Sequence, residues 1–228
     1  KTRAMHGAKY GNAARTCDAI FVNSGYTGRD VVERLGVAPE RVRVAYPGVK
    51  EEFRPEGDAA DLGRPYVLTV ATLEPRKNLG TLVEAHRLLG DDLLLAVAGG
   101  TGWGDQPELR GPDVVRLGFV TDEELARLYR GAAVSVYPSR FEGFGMPIVE
   151  AMACGTPVVA SAHASMDEAA GGAAVRADPD APAAIAAAIR EAIERREELV
   201  PVGLEHARRF TWRAAGEAFL RGYEEAAR

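Results

Sequence analysis

The 228 residues suffice for one sizeable domain or two modest ones. Hydrophobic residues make up 46% and charged residues 27%, interleaved without low-complexity tracts, which excludes a disordered or fibrous chain. A net charge of -5 with no cluster of Lys or Arg excludes a surface built to wrap nucleic acid, while leaving room for a small anion bound locally.

In chain order, a polar helix to about Thr16 precedes the strand-type run AIFVNS (19 to 24). The amphipathic helix TGRDVVERLG (27 to 36), ending on glycine, and strand-like RVRVAYPGV (41 to 49) follow. EEFRPEGDAADLGRP (51 to 65) has the Pro, Gly and Asp content of a connection between domains, which places a first domain and its crossing at 1–56, a linker at 57–65 and a second domain at 66–228.

From Tyr66 onward, apolar runs alternate with helices: YVLTVA, helix NLGTLVEAHRLLG, LLLAVAGG, VVRLGFV, helix DEELARLYRGA, AVSVYPS, helix PIVEAMACG and PVVAS. Strands apolar throughout and separated by helices predict a doubly wound α/β fold, a parallel sheet covered on both faces. Such sheets bind ligands at the carboxyl ends of their strands. Two helices close the chain, near 181 to 197 and 203 to 226; on the last, Trp212, Phe219 and Tyr223 share a face that is expected to pack into a core.

Chemistry concentrates in RFEGFGMPIVEAMACGTP (140 to 157). Pro147 suits the first helical position and Gly155 the position beyond the end, so the helix runs from about Pro147 to Cys154. Glu142 then lies on the loop before it and Glu150 one turn inside it. Between them, Gly143, Phe144 and Gly145 lead into a helix N-terminus whose free N–H groups and dipole favour an anion such as a diphosphate. Two carboxylates flanking that anion could accept from polyol hydroxyls. The plainer alternative makes Glu150 a helix-end charge and Glu142 a solvated loop charge.

EPRKN (74 to 78) directly follows YVLTVA and places Arg76 and Lys77 at the same sheet edge. Only four of the 28 basic residues are Lys, and Lys77 alone follows the linker, which marks it as a selected ammonium against the alternative of a solvated loop charge. VAGGTGW (97 to 103) departs from a G-x-G-x-x-G fingerprint and reads as a tight turn rather than a phosphate cradle.

His6, His86, His163 and His206 stand apart with no second ligand at metal spacing, and no G-x-S-x-G elbow occurs, so neither a metal site nor a serine triad is expected. Cys17 and Cys154 are expected to be buried free thiols. No apolar run reaches the roughly 18 to 20 residues that span a bilayer and no signal pattern opens the chain, so a cytoplasmic location is expected. Peripheral contact with the inner face of a membrane is compatible with it. Lys1 opens the chain within a helical pattern, so the sequence reads as a piece of something longer.

EPRKN, PSRFEGFGMPIVEAMACGTPVVAS, ASMDEAAGGAAV and DPDAPAAIAAAI together resemble, in matching order over 66–228, the donor-binding half of retaining GT-B glycosyltransferases of family 4. Residues 19–56 resemble the end of that family's N-terminal acceptor domain and its crossing. The resemblance implies transfer of a hexose from a nucleotide-diphospho-sugar to a glycan or lipid acceptor, with no cofactor and no required metal. GDP-mannose is the first candidate donor, a UDP-sugar the second.

By the same resemblance Glu150 binds the ribose hydroxyls, Glu142 faces the donor sugar and Lys77 neutralises the diphosphate. Gly143, Phe144 and Gly145 offer backbone amides, and Phe119 and Val120 touch the nucleobase. Ala71-Thr72 stands where many members have Gly-Arg, which makes Arg76 the candidate second cation. The family's early acceptor-domain strands, with their active-site histidine, are not among these residues. Two other functions fit the residues: a nucleotide-sugar-binding module without turnover, and a glycoside hydrolase using Glu142 and Glu150 as acid and base, in which EPRKN has no role.

Overall fold

A computed structural model describes residues 2–100, 102, 109, 111 and 113–227, with the side chains of 2–6 and 8 outside the description. Of the sequence motifs, Thr101 and Trp103 of VAGGTGW and the His6 side chain lie outside the described residues. The chain divides into two compact units, Lys1–Gly48 with Phe210–Arg228, and Val49–Arg209.

In the first unit, helix α1 (Thr2–Thr16) precedes the parallel pair β1 (Ile20–Val22) and β2 (Val42–Val44), joined through helix α2 (Gly25–Leu35). Ser24 caps α2 by accepting from the Thr27 N–H, and Gly36 closes it at φ 65, a left-handed position that glycine takes without strain. Helix α9 (Trp212–Ala226) belongs to this unit, although the sequence pattern assigned it to the second domain.

The reason is close packing between segments distant in the chain. Phe21 of β1 lies 4.7 Å from Phe219 and 5.0 Å from Tyr223, and a Cβ on Gly222 would stand 2.6 Å from the Phe21 ring. Arg43 of β2 pairs with Glu225 at 2.7 Å. The expectation of a buried aromatic face is corrected in part: Trp212, Phe219 and Tyr223 are exposed, while Ala215 and Gly222 are the buried members of α9. Cys17 is exposed as well, whereas Cys154 is buried.

The second unit carries a sheet of strands β3 (Tyr66–Val70), β4 (Leu94–Ala98), β5 (Val114–Gly118), β6 (Val134–Tyr137), β7 (Val158–Ser161) and β8 (Ala174–Ala177). All are parallel, in the order β5-β4-β3-β6-β7-β8. This is the doubly wound fold expected from the alternation, and the order reverses between β3 and β6. Helices α3 (Leu79–Arg87) and α7 (Pro182–Glu194) pack together over one hydrophobic core with Val67, Val97, Val134 and Val136. Helix α5 (Met146–Ala153) packs with α4 (Asp122–Gly131), the short α6 (Asp167–Ala170) and α8 (Arg196–Ala207).

Three boundaries differ from expectation. Residues 49–65 belong to the second unit because they are tied to α4: Arg130 donates to the carbonyls of Arg54 and Asp58, the Ala60 N–H to Arg127 O, and Phe53 meets Tyr129 edge-on at 6.0 Å. The helix expected at 203 to 226 is two helices, α8 and α9, parted at Arg208–Thr211, where Phe210 is buried and Thr211 caps α9. Strand β8 was not anticipated; four residues with Arg176 among them give too short an apolar signal.

Candidate functional site

The strand order reverses between β3 and β6, where open α/β sheets bind ligands, and the two segments leading out of the carboxyl ends of these strands meet there. After β3, Pro75–Lys77 forms a single 3-10 turn with Pro75 at its start. Asn78 then adopts φ 57, the one left-handed non-glycine among the described residues, a conformation that asparagine tolerates. Its amide nitrogen donates to Pro138 O at 3.2 Å and Pro179 O at 2.6 Å, and its oxygen accepts from Thr81 at 2.7 Å. One side chain thus ties the turn after β3 to the loops after β6 and β8.

After β6, Pro138 and Ser139 carry the chain across the Arg76 turn, where the Arg140 N–H donates to Arg76 O at 3.0 Å. The Glu142 N–H donates to Ser165 Oγ at 3.1 Å, and Gly145, at φ 104, starts α5 with Pro147 in its first turn. The helix ends at Ala153 with Cys154 as cap and Gly155 at φ 74, within a residue of the span expected from Pro147 and Gly155.

These turns bring Arg76, Lys77 and Glu142 together. Oε1 of Glu142 accepts from Ser139 Oγ at 2.5 Å and Lys77 Nζ at 2.9 Å, and pairs with Arg76 Nη1 at 2.5 Å. Burial alone would push the Glu142 carboxyl up, yet donation from Arg76, Ser139 and Lys77 holds it below its ordinary range. Lys77 Nζ also donates to Tyr137 Oη at 2.8 Å and lies 5.0 Å from the centre of that ring. Arg76 donates to Phe141 O at 2.7 Å and pairs more loosely with Glu74 at 3.4 Å. The alternative of solvated loop charges is therefore set aside for Lys77 and Glu142, whose side chains are 11% and 10% exposed.

Glu150 occupies a separate setting on α5. Tyr129, fully buried near the end of α4, stands with Oη 3.3 Å from Glu150 Oε2. Burial pushes the Glu150 carboxyl up to about 7; the Tyr129 hydroxyl and Lys50 oppose the rise and Asp122 adds to it. Both carboxylates act on Tyr137, whose phenol is pushed well up by burial first, then by Glu142 and, to a smaller extent, Glu150.

Gly143, Phe144 and Gly145 form the entry to α5; the Phe144 ring is buried, and a Cβ on Gly145 would stand 3.1 Å from Ile148 Cδ1. Phe119 and Val120 follow edge strand β5, two strands from β3, and Phe119 is 84% exposed. Of VAGGTGW, Gly99 and Gly102 are turn glycines: a Cβ would come within 2.1 Å of Ala71 O at Gly99 and 2.4 Å of Leu73 O at Gly102. Among the described residues no group of three or more His, Cys, Asp or Glu is gathered as metal ligands, and no helix is long and apolar enough to cross a membrane.

Reading the sequence missed Asn78, Tyr129, Tyr137, Ser139 and Ser165. Tyr137 and Ser139 had a signal, since they stand at the carboxyl end of a strand in a doubly wound sheet. The partnerships of Tyr129 and Ser165 depend on residues 21 and 23 positions away.

Comparison with known proteins identifies the family and the fold. Residues 50–211 match the family model described as glycosyl transferases group 1. O-antigen chain mannosyltransferase B of Escherichia coli is 39% identical, over 90% of this chain and 60% of its own length, so the chain spans about three-fifths of that relative. Among solved structures, sucrose-phosphate synthase of Thermosynechococcus elongatus superposes with a TM-score of 0.77 at 26% identity, covering 94% of this chain and 60% of that one. Anabaena HepE in complex with UDP and glucose gives 0.80 at 19% identity, covering 96% and 66%. The chain belongs to the group 1 glycosyl transferases, with the Rossmann-like sheet of the GT-B glycosyltransferases.

Proposed function

We propose that this chain is the donor-binding part of a retaining hexosyltransferase that moves a hexose from a nucleotide-diphospho-sugar to a glycan or lipid-linked acceptor. The observation that carries the reading is the meeting of Arg76 and Lys77 with Glu142 at the strand-order reversal, beside the N-terminus of α5. In this reading the two cations and the helix N-terminus receive the diphosphate. The sugar departs with oxocarbenium character while negative charge grows on the leaving phosphate, so donors fixed at that point act where charge develops. Those cations supply the neutralisation for which a metal ion is used elsewhere, and the reading includes no metal and no cofactor.

Glu150 is assigned to the ribose hydroxyls and Glu142 to the donor sugar. Gly143, Phe144 and Gly145 supply backbone amides near the phosphates, and Phe119 and Val120 contact the nucleobase. GDP-mannose is the first candidate donor, supported by the mannosyltransferase relative, and a UDP-sugar the second, supported by the neighbour solved with UDP. The name of the same relative supports a glycan acceptor in polysaccharide assembly. A cytoplasmic location, at the inner face of a membrane, is part of the same proposal. A hydrolase built on the same carboxylates would leave Arg76 and Lys77 without a part in the chemistry.

Calorimetric titration of the chain with GDP-mannose, GDP, UDP-glucose and UDP tests the reading. One nucleotide series is expected to bind; failure of all four overturns it. Release of sugar from a glycan without any nucleotide donor would favour the hydrolase instead.

A further inference from the structure

The cations assigned to a diphosphate already hold an anion. Oε1 of Glu142 takes the Lys77 ammonium, the Arg76 guanidinium and the Ser139 hydroxyl, an arrangement of donors that would suit a phosphate oxygen. A buried cation left without a counter-charge is costly, and the internal carboxylate supplies that counter-charge to Lys77. The same carboxylate would repel an incoming phosphate at this distance.

We propose that Glu142 is an internal counter-anion, and that the donor's diphosphate binds by taking Lys77 and Arg76 away from it. The proposal rests on the assignment of these two cations to the diphosphate. It also joins two roles that otherwise compete. Released from the cations, the Glu142 carboxylate becomes available to accept from sugar hydroxyls, so arrival of the phosphates frees the group that holds the sugar.

The cations have further holds that do not depend on Glu142. Lys77 keeps Tyr137 Oη at 2.8 Å and the face of that ring. Arg76 keeps Phe141 O at 2.7 Å and Glu74 at 3.4 Å, while its own carbonyl is fixed by the Arg140 N–H. Removing the Glu142 charge therefore leaves the cations in position and open to an external anion.

The test titrates wild type, Glu142→Gln and Glu142→Asp with inorganic pyrophosphate, UDP, GDP and the nucleosides uridine and guanosine. Glu142→Gln is expected to bind pyrophosphate, and whichever nucleoside diphosphate wild type binds, at least about tenfold tighter, because the competing anion is gone. Nucleoside affinity should stay unchanged, and Glu142→Asp, which keeps a carboxylate, should gain less than Glu142→Gln. A folded Glu142→Gln that binds pyrophosphate no tighter than wild type overturns the exchange.

Should Glu142→Gln be unfolded by itself, excess pyrophosphate is expected to restore its circular-dichroism melting transition, since ligand that binds only the folded state stabilises it. Absence of that restoration also overturns the exchange. Wild type that binds neither nucleoside diphosphate nor pyrophosphate would instead remove the donor-site reading itself.

Discussion

Replacing Glu150 by Gln should stabilise the folded chain while weakening it as a nucleotide binder. The carboxyl sits partly buried on α5 and is raised from 4.5 to about 7, with burial as the largest cause. As pH rises above 4.5 the unfolded chain releases this proton, whereas the folded chain holds it until about 7, so wild-type stability falls across that window and is level above it. At about 1.4 kcal/mol per pH unit, the cost at pH 8 reaches about 3 kcal/mol as an upper figure. Gln carries no charge and still offers an oxygen to Tyr129 Oη. Urea denaturation of both proteins near pH 4.5 and at pH 8 should therefore show a gap that is small in acid and opens in favour of Glu150→Gln towards pH 8. Equal stability at both pH values, or a gap that opens towards acid, would refute the reasoning. On the assigned role, the loss of a charged acceptor for ribose hydroxyls costs about 1.5–3 kcal/mol of binding, roughly ten- to a hundredfold in nucleotide affinity.

Substitutions at three further positions probe the remaining parts. Lys77→Ala in the full-length enzyme should lower turnover by about 10²–10³-fold, as loss of one preorganised donor does elsewhere; near-normal turnover in a steady-state assay would contradict the assigned role. Asn78→Gly keeps the left-handed backbone at φ 57 but loses both carbonyl contacts, while Asn78→Ala loses these and adds strain. Chemical denaturation should rank them with Ala about 1 kcal/mol or more below Gly; the reverse order would exclude the strain argument. Gly99→Ala, at φ 136 with its Cβ aimed 2.1 Å from Ala71 O, should cost upwards of 1 kcal/mol and lower the melting temperature; an unchanged melt would count against the close approach.

The sheet was legible because its central strands are apolar throughout. YVLTV, LLAVA, VSVY and VVAS can be read directly, and Pro147 with Gly155 framed α5 to within a residue. What escaped depends on pairing between distant segments. That α9 joins the first unit rests on Phe21 meeting Phe219 and Tyr223, far along the chain, and no local period carries that information. Strand β8 escaped because Arg176 interrupts its pattern, although the structure uses that guanidinium to hold Ser161 O and His163 O. Within the site, local residues indicated an anion-binding edge, and the family resemblance supplied the individual roles. The convergence on Glu142 follows only once β3 is known to lie beside β6, which brings positions 65 apart within hydrogen-bonding reach.

Strand order also separates the proposed tasks. Two inter-strand steps of about 4.8 Å place β5 roughly 10 Å from β3, with β4 between them. At that spacing, substitutions on the two sides are expected to combine additively unless they share a partner. Variation at Phe119 and Val120 could then change which base is preferred while the charge arrangement at Lys77 and Glu142 stays as it is. On the proposed assignment, base preference after the edge strand and phosphate handling after the central strands can vary separately.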